Sequence, residues 1–203
     1  MNSEQLKGLQ KKPFFYSYLI TDPQEYGLDL TTFKNNLTKV LQTYNVDILC
    51  FRDKTTKDVI PFAKSTLEIA REFGIKKTLI NGSKTLAIEL GFDGVHFTSQ
   101  QFDEIPQAKA QNLFTFISCH NEEQVQLAKQ NYADGVTFSP IFFKKNKAQP
   151  KGCEVLQSIV RKYQNNSFHI IALGGITSEE KIQNVRETKC SGFASITYFT
   201  NKL

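Results

Sequence analysis

The sequence predicts an α/β protein: eight parallel strands, each followed by a helix, closed into a barrel that lacks its last C-terminal helix. Three observations carry this. Eight short β-rich runs alternate with helical stretches along the chain, the pattern of a parallel sheet. Most of the runs are apolar and rich in β-branched or aromatic residues, as suits strands buried on both faces. The first run ends in ITDPQEYG, not in the GxGxxG that an open dinucleotide-binding sheet wants, and eight units is the barrel number. No linker or composition break divides the chain, so residues 1–203 read as one domain.

The strands are expected at Tyr16 to Thr21, Asp47 to Arg52, Lys77 to Ile80, Asp93 to Phe97, Phe114 to Ser118, Asp134 to Phe138, His169 to Leu173 and Gly192 to Thr197. Between them, Leu30 to Tyr44 sets Phe33, Leu37, Val40 and Leu41 at helical spacing, and Thr56 to Phe73 does the same with Ile60, Ala63, Leu67 and Ala70. Shorter helices are expected at Ser83 to Leu90 and Gln101 to Ala110. Asn121 to Tyr132 opens with an Asn cap followed by Glu122 and Glu123, and Ser178 to Glu187 repeats this with Glu179 and Glu180. Capping oxygens and first-turn acids both satisfy the positive end of a helix. Glu154 to Tyr163 completes the set. An eight-unit barrel usually takes about 250 residues. Only about six residues follow Thr197, too few for a closing helix, so Tyr198 and Phe199 need cover from the N-terminal segment MNSEQLKGLQKK or from a partner subunit.

Composition narrows the function classes. The chain is 40% hydrophobic and 22% charged with a net charge of +5, which excludes wholesale disorder. No apolar run approaches the roughly 18–20 residues of a bilayer span, and the polar start lacks a signal-peptide stretch. A cytoplasmic location and no membrane partner are expected. Lys and Arg are spread along the chain rather than gathered in the stripe of a nucleic-acid binder, so no nucleic-acid partner is expected. The one basic cluster runs from Lys144 to Lys151 and reads as a solvated loop or as a loop that grips phosphate. Cys50, Cys119, Cys153 and Cys190 form no CxxC, so no zinc or redox pair is read from them.

In such a barrel the chemistry sits at the C-terminal ends of the strands. Arg52 and Lys54 share a strand face with Cys50 by two-residue alternation. Two cations at a barrel mouth suit a phosphate or pyrophosphate. Otherwise Arg52 pairs with Asp22 or Asp53 and closes the barrel. Gly174 and Gly175, followed by a helix near Ser178, together with Ile196-Thr197 at the end of the last strand, offer a phosphate site. His120, after Ser118, is a candidate general acid or base or a mere neighbour of the helix cap. His96 reads as a satisfied core histidine, and His169 lies at the opposite, stability face.

The runs YLITD, ILCFRDK, LINGSKTLAIELGFDGVHF, ISCHNEEQVQLA, ADGVTFSPIF and IIALGGIT resemble, in order, the thiamine phosphate synthase/TenI family, whose members are TIM (β/α)8 barrels acting on thiazole phosphate. The resemblance implies roles for particular positions. Arg52 and Lys54 match the cationic pair that holds pyrophosphate in the synthases. Asn81 matches the strand-3 asparagine, Ser118 the strand-5 serine and Lys147 the loop lysine. Gly174, Gly175, Ile196 and Thr197 fall on the thiazole-phosphate cradle, with Thr197 replacing a serine. The chain also departs from the synthase pattern. Gly82 and Gln101 stand where the synthases carry magnesium-binding aspartates, Lys144 and Asn146 replace phosphate-binding threonines, and Cys50 replaces a glutamine. Losing both carboxylates weakens magnesium binding.

The resemblance thus implies a thiamine-biosynthesis enzyme, and the departures lean it toward the thiazole tautomerase branch, with His120 transferring a proton and no metal or cofactor. Alternatives are a divergent thiamine phosphate synthase, which would use magnesium, and a non-catalytic barrel that binds a thiamine precursor. The implied partners are a phosphorylated thiazole, with hydroxymethylpyrimidine pyrophosphate for a synthase. A homo-oligomer is compatible with the sequence.

Overall fold

The computed structural model describes residues 14–143 and 148–203. Its strands are β1 Tyr16–Ile20, β2 Ile48–Phe51, β3 Lys77–Asn81, β4 Gly94–Phe97, β5 Phe114–Cys119, β6 Gly135–Phe138, β7 His169–Leu173 and β8 Gly192–Ser195. All pair in parallel with their sequence neighbours, and β8 returns to β1 through Tyr16↔Gly192 and Leu19↔Ser195, which closes the barrel. The helices are α1 Pro23–Tyr26, α2 Leu30–Thr43, α3 Ile60–Glu72, α4 Lys84–Leu90, α5 Ile105–Ala110, α6 Glu122–Gln130, α7 Gly152–Tyr163, α8 Glu179–Glu187 and α9 Thr197–Thr200. A 3₁₀ turn over Phe102–Glu104 leads into α5. No described helix is long and apolar enough to cross a membrane.

The expected elements are all present, with ends moved by a few residues. Asn121, Ser83 and Ser178 cap their helices, each accepting from a backbone N–H of the first turn. The sequence reading missed α1. Its signal was Asp22-Pro23: Asp22 accepts from the N–H of Gln24, and the proline, preset for helix, stands at the first position.

Two cores result from the strand pleat. Outward residues such as Leu19, Leu49 and Ile117 join the helices in the larger core. Inward residues, among them Tyr18, Ile48, Cys50, Leu79 and Phe116, fill the barrel. Large and small residues alternate around the interior. A β-carbon on Gly135 would lie 2.8 Å from the Phe116 ring, so the glycine makes room for that ring.

Three aspartates just before even-numbered strands bind the preceding strand. Asp47 accepts from Ser17 N–H (3.0 Å), Asp93 from Thr78 N–H (2.7 Å) and Asp134 from Thr115 N–H (2.7 Å). Asp93 and Asp134 also accept from the threonine hydroxyls. These bonds satisfy N–H groups at the foot of the barrel, where no ladder bond is available. Before β8 the position is Ser191, whose hydroxyl meets His169 Nδ1 at 3.2 Å, and His169 indeed belongs to the foot.

After β8 the described chain forms the single turn α9. Its Phe199 is buried, stacked on Phe193 and edge-on to Tyr44 at the end of α2, while Tyr198 packs on Tyr44 as well. Among the described residues the cover comes from the barrel's own outer layer, whereas the sequence points to the N-terminal segment or a second subunit. The segment Met1 to Lys12 lies outside the described residues.

Two stability changes follow. Asp134→Ala leaves the fully buried Thr115 N–H without its acceptor, and urea unfolding is expected to show a loss of about 1–3 kcal/mol. Tyr26 is buried with a hydroxyl that has no hydrogen-bond partner among the described residues. Tyr26→Phe keeps the ring and removes the unsatisfied group, so the same measurement should show a gain of about 1 kcal/mol; a loss would contradict this account.

Candidate functional site

The C-terminal mouth of the barrel opens into a cavity of about 650 Å³, within the range of small-molecule sites. Inward positions continued past the strand ends line it: Ile20 and Asp22 from β1, Arg52 and Lys54 from β2, Asn81 from β3, His96 and Thr98 from β4. Ser118 and His120 follow from β5, Ser139 from β6, Leu173 from β7 and Ile196 from β8. The loops add Ser99, Pro140, Ala148 and Gly174. Of the expected site residues, Arg52, Lys54, Asn81, Ser118, His120, Gly174 and Ile196 thus meet at one place. Lys144, Asn146 and Lys147 lie outside the described residues.

Three expected residues are not at the mouth. Cys50 has the right parity but sits a layer lower, buried in the barrel interior, where burial pushes its thiol up to about 12, partly offset by Tyr18 and Arg52. It is an inert core group. Gly175 turns away: a β-carbon there would meet the Phe142 carbonyl oxygen at 2.7 Å. The paired glycines, with φ of +98° and +71°, let the turn after β7 pass close to the 140–143 loop, with Gly174 at the cavity wall and Gly175 off it. Thr197 starts α9 and does not line the cavity. Nor does the N-terminus of α8, whose first turn holds Glu179 and Glu180.

The two cations are in different states. Arg52 forms an ion pair with Asp22, the partner across β1, while Asp53 instead accepts from the N–H groups of Thr55 and Thr56. The barrel-closing pair that the sequence left open is therefore present. Lys54 is exposed and has no carboxylate within salt-bridge reach among the described residues. Thr21 locks this corner, receiving the Arg52 N–H at 2.8 Å and donating to the Arg52 carbonyl at 3.1 Å.

His120 is exposed at the rim, with Nδ1 at 3.1 Å from the Ser139 carbonyl oxygen and its backbone N–H donating to Gln124. The Ser139 hydroxyl lies 3.3 Å from the same nitrogen; the carbonyl only accepts, so the closer contact needs the proton on Nδ1, the hydroxyl oxygen then accepts as well, and Nε2 keeps a free lone pair in the neutral ring. This arrangement can take up a proton at Nε2. Asn81 donates from Nδ2 to the His96 carbonyl at 2.8 Å, which leaves its amide oxygen unspent in that contact. His96, read as a core histidine, is buried and fully hydrogen-bonded but also forms part of the cavity floor.

The residues where magnesium carboxylates would stand do not fit a metal. Gly82 has no side chain. The Gln101 amide is spent on the protein: its oxygen accepts from the N–H (3.0 Å) and hydroxyl (2.8 Å) of Thr98, and its nitrogen donates to the Gly82 carbonyl and Glu104, each at 2.8 Å. It ties the loop after β3 to the loop after β4. Asp103 is exposed and does not line the cavity. Among the described residues no cluster of three or more His, Cys, Asp or Glu side chains is arranged for a metal ion. Gln101→Glu removes both donors and sets an acceptor against the Gly82 carbonyl and a like charge against Glu104. Thermal or urea unfolding is expected to show a loss of about 1–3 kcal/mol.

Comparison with known proteins agrees with this architecture. The family model described as "Thiamine monophosphate synthase" (TMP-TENI) matches residues 17–199. A curated relative from Aquifex aeolicus, "Putative thiamine-phosphate synthase 2", is 31% identical over 90% of this chain and 96% of its own length. The thiamine-phosphate synthase of Latilactobacillus sakei is 28% identical over 91% of this chain and 84% of its own. Among solved structures, thiamine phosphate pyrophosphorylase from Pyrococcus furiosus superposes with a TM-score of 0.74 at 19% identity, covering 89% of this chain and 85% of that one. That last likeness concerns the fold.

Proposed function

Because the chain belongs to the thiamine monophosphate synthase (TMP-TENI) family, a family of enzymes, we propose that its barrel mouth joins thiazole phosphate to hydroxymethylpyrimidine pyrophosphate with release of pyrophosphate. The names of the relatives carry this reading, and they reverse the lean toward tautomerase that the departures at Gly82 and Gln101 suggested. Arg52 and Lys54, which the resemblance assigns to the pyrophosphate, share one cavity with Asn81 and Ser118, its matched strand-3 asparagine and strand-5 serine. In this reading Lys54 takes the pyrophosphate as a point charge, and Arg52, held in place by Asp22, adds its remaining N–H donors. The Gly174 and Ile196 side of the mouth faces the thiazole phosphate. The setting is cytoplasmic.

Magnesium is the cofactor of the family's synthases, and the charge it supplies helps pyrophosphate leave. Positions 82 and 101 do not supply its ligands here, so the charge on the leaving group falls to Arg52 and Lys54. Incubating both phosphorylated substrates with the enzyme should yield thiamine phosphate. A chelator should lower the rate only a few-fold, and Lys54→Ala should lower it by about tenfold or more. No product at high enzyme concentration would remove the synthase reading.

A second reading, tautomerisation of a carboxylated thiazole phosphate, is favoured by one observation: Nε2 of His120 is presented as a proton acceptor at the rim while the metal positions are filled by a glycine and a saturated amide. Proton transfer needs a placed acid–base group and no metal. In an isomerisation assay, His120→Ala should then cost on the order of 10²-fold. Unchanged activity would exclude this role.

A further inference from the structure

Beneath the cavity, side chains from four strands share one hydrogen-bonded network. His96 on β4 places Nδ1 2.7 Å from the Tyr18 hydroxyl of β1, and its Nε2 lies 3.2 Å from both Ser118 Oγ of β5 and Thr137 Oγ1 of β6. The two hydroxyls are 3.5 Å apart. Tyr18, His96 and Thr137 are buried, whereas Ser118 reaches the cavity.

Donor counting sets the direction of these bonds. Burial holds His96 far down, at about 3, with the nearby Arg52 charge adding to the effect, so the ring is neutral and has one donor and one acceptor. The titratable and charged groups facing the network are Cys50 and Arg52. The phenol of Tyr18 is a strong donor, and its other polar side-chain neighbour among the described residues, the Cys50 thiol, is a weak acceptor. Tyr18 therefore donates to Nδ1, and the ring proton sits on Nε2. That proton faces the oxygens of Ser118 and Thr137. With Thr137 enclosed, its own hydrogen goes to Ser118 Oγ. Both protein neighbours of Ser118 thus donate to it, and its hydrogen has nowhere to point but the cavity.

We infer that Tyr18 and His96 are positioning residues that turn the Ser118 hydroxyl into an obligate hydrogen-bond donor toward an anionic oxygen of the bound substrate. The inference rests on the function proposed above for what occupies the mouth, but not for the bonding within the network. A donor fixed in this way has already lost its rotational freedom before the ligand arrives. It also discriminates against a ligand that presents a donor at that point.

Nitrogen NMR of the histidine rings in the full chain at a pH near 7 tests the network directly. One ring should be neutral with its proton on Nε2, and it should be absent from His96→Gln. Tyr18→Phe, which keeps the ring and removes the hydroxyl, should abolish the preference for that tautomer. Calorimetry with inorganic pyrophosphate and, separately, thiazole phosphate then tests the consequence. For whichever anion contacts Ser118, Tyr18→Phe and Ser118→Ala should each weaken binding by roughly tenfold, and the double variant should lose little more, since the two act through one bond. A proton on Nδ1 in the wild-type chain overturns the inference without any variant. An Nε2 proton with unchanged affinities in a folded Tyr18→Phe also overturns it. Failure of the wild-type chain to bind either anion would instead remove the proposed occupant of the mouth, and with it the role of Ser118 as substrate donor, while the ring measurement still decides the network itself.

Discussion

The parity of a closed parallel barrel is the constraint on which the rest depends. Each strand alternates between core and interior, and with all eight strands parallel, the same parity carries through to every strand end on one side. Ile20 and Asp22, Arg52 and Lys54, His96 and Thr98, Ser118 and His120 are successive inward positions on four strands. Residues of the opposite parity, such as Thr21 and Asp53, brace the rim instead. Bonding at the foot by Asp47, Asp93 and Asp134 supports this, because a slip of one residue on any strand would exchange the two sets.

The interior changes character with height. At the foot it is aromatic and small, with Tyr16, Phe114 and Phe116 against Gly135 and Gly192. One layer up it becomes polar but buried, where Tyr18 and Thr137 both bond to His96. Such a buried polar layer is tolerated only when its members are all bonded. Above it the groups face the cavity, and there the compensation is incomplete: Arg52 is partly neutralised by Asp22, while Lys54 is not neutralised by a described residue. An anionic ligand would complete the charge balance of this layer, which is what the proposed function asks of the strand-2 corner.

How far the site was legible depended on which contacts a residue makes. Arg52, Lys54, Asn81, Ser118, His120 and Ile196 could be placed because two-residue alternation and strand ends are local properties. Cys50 has the same alternation but the wrong height, and height depends on how the staggered strands meet around the barrel. The glycine pair followed a local rule about close approach, yet what approaches Gly175 is the 140–143 loop, distant in sequence. Gln101 looked like a lost metal ligand; its bonds to Thr98, Gly82 and Glu104 give it a role of its own.

The sequence by itself determined the eight alternating units, the caps at Ser83, Asn121 and Ser178, the family and the strand ends that line the cavity, since each follows from periodicity, from motifs or from neighbours within four residues. Tertiary structure alone decided that Asp22 rather than Asp53 pairs with Arg52, that Tyr44 and Tyr198 cover Phe199, and that His96 is shared by β1, β5 and β6. Apart from the adjacent Tyr198 and Phe199, those outcomes join residues 22 to 155 positions apart, and only the closure of the sheet fixes which distant side chains meet.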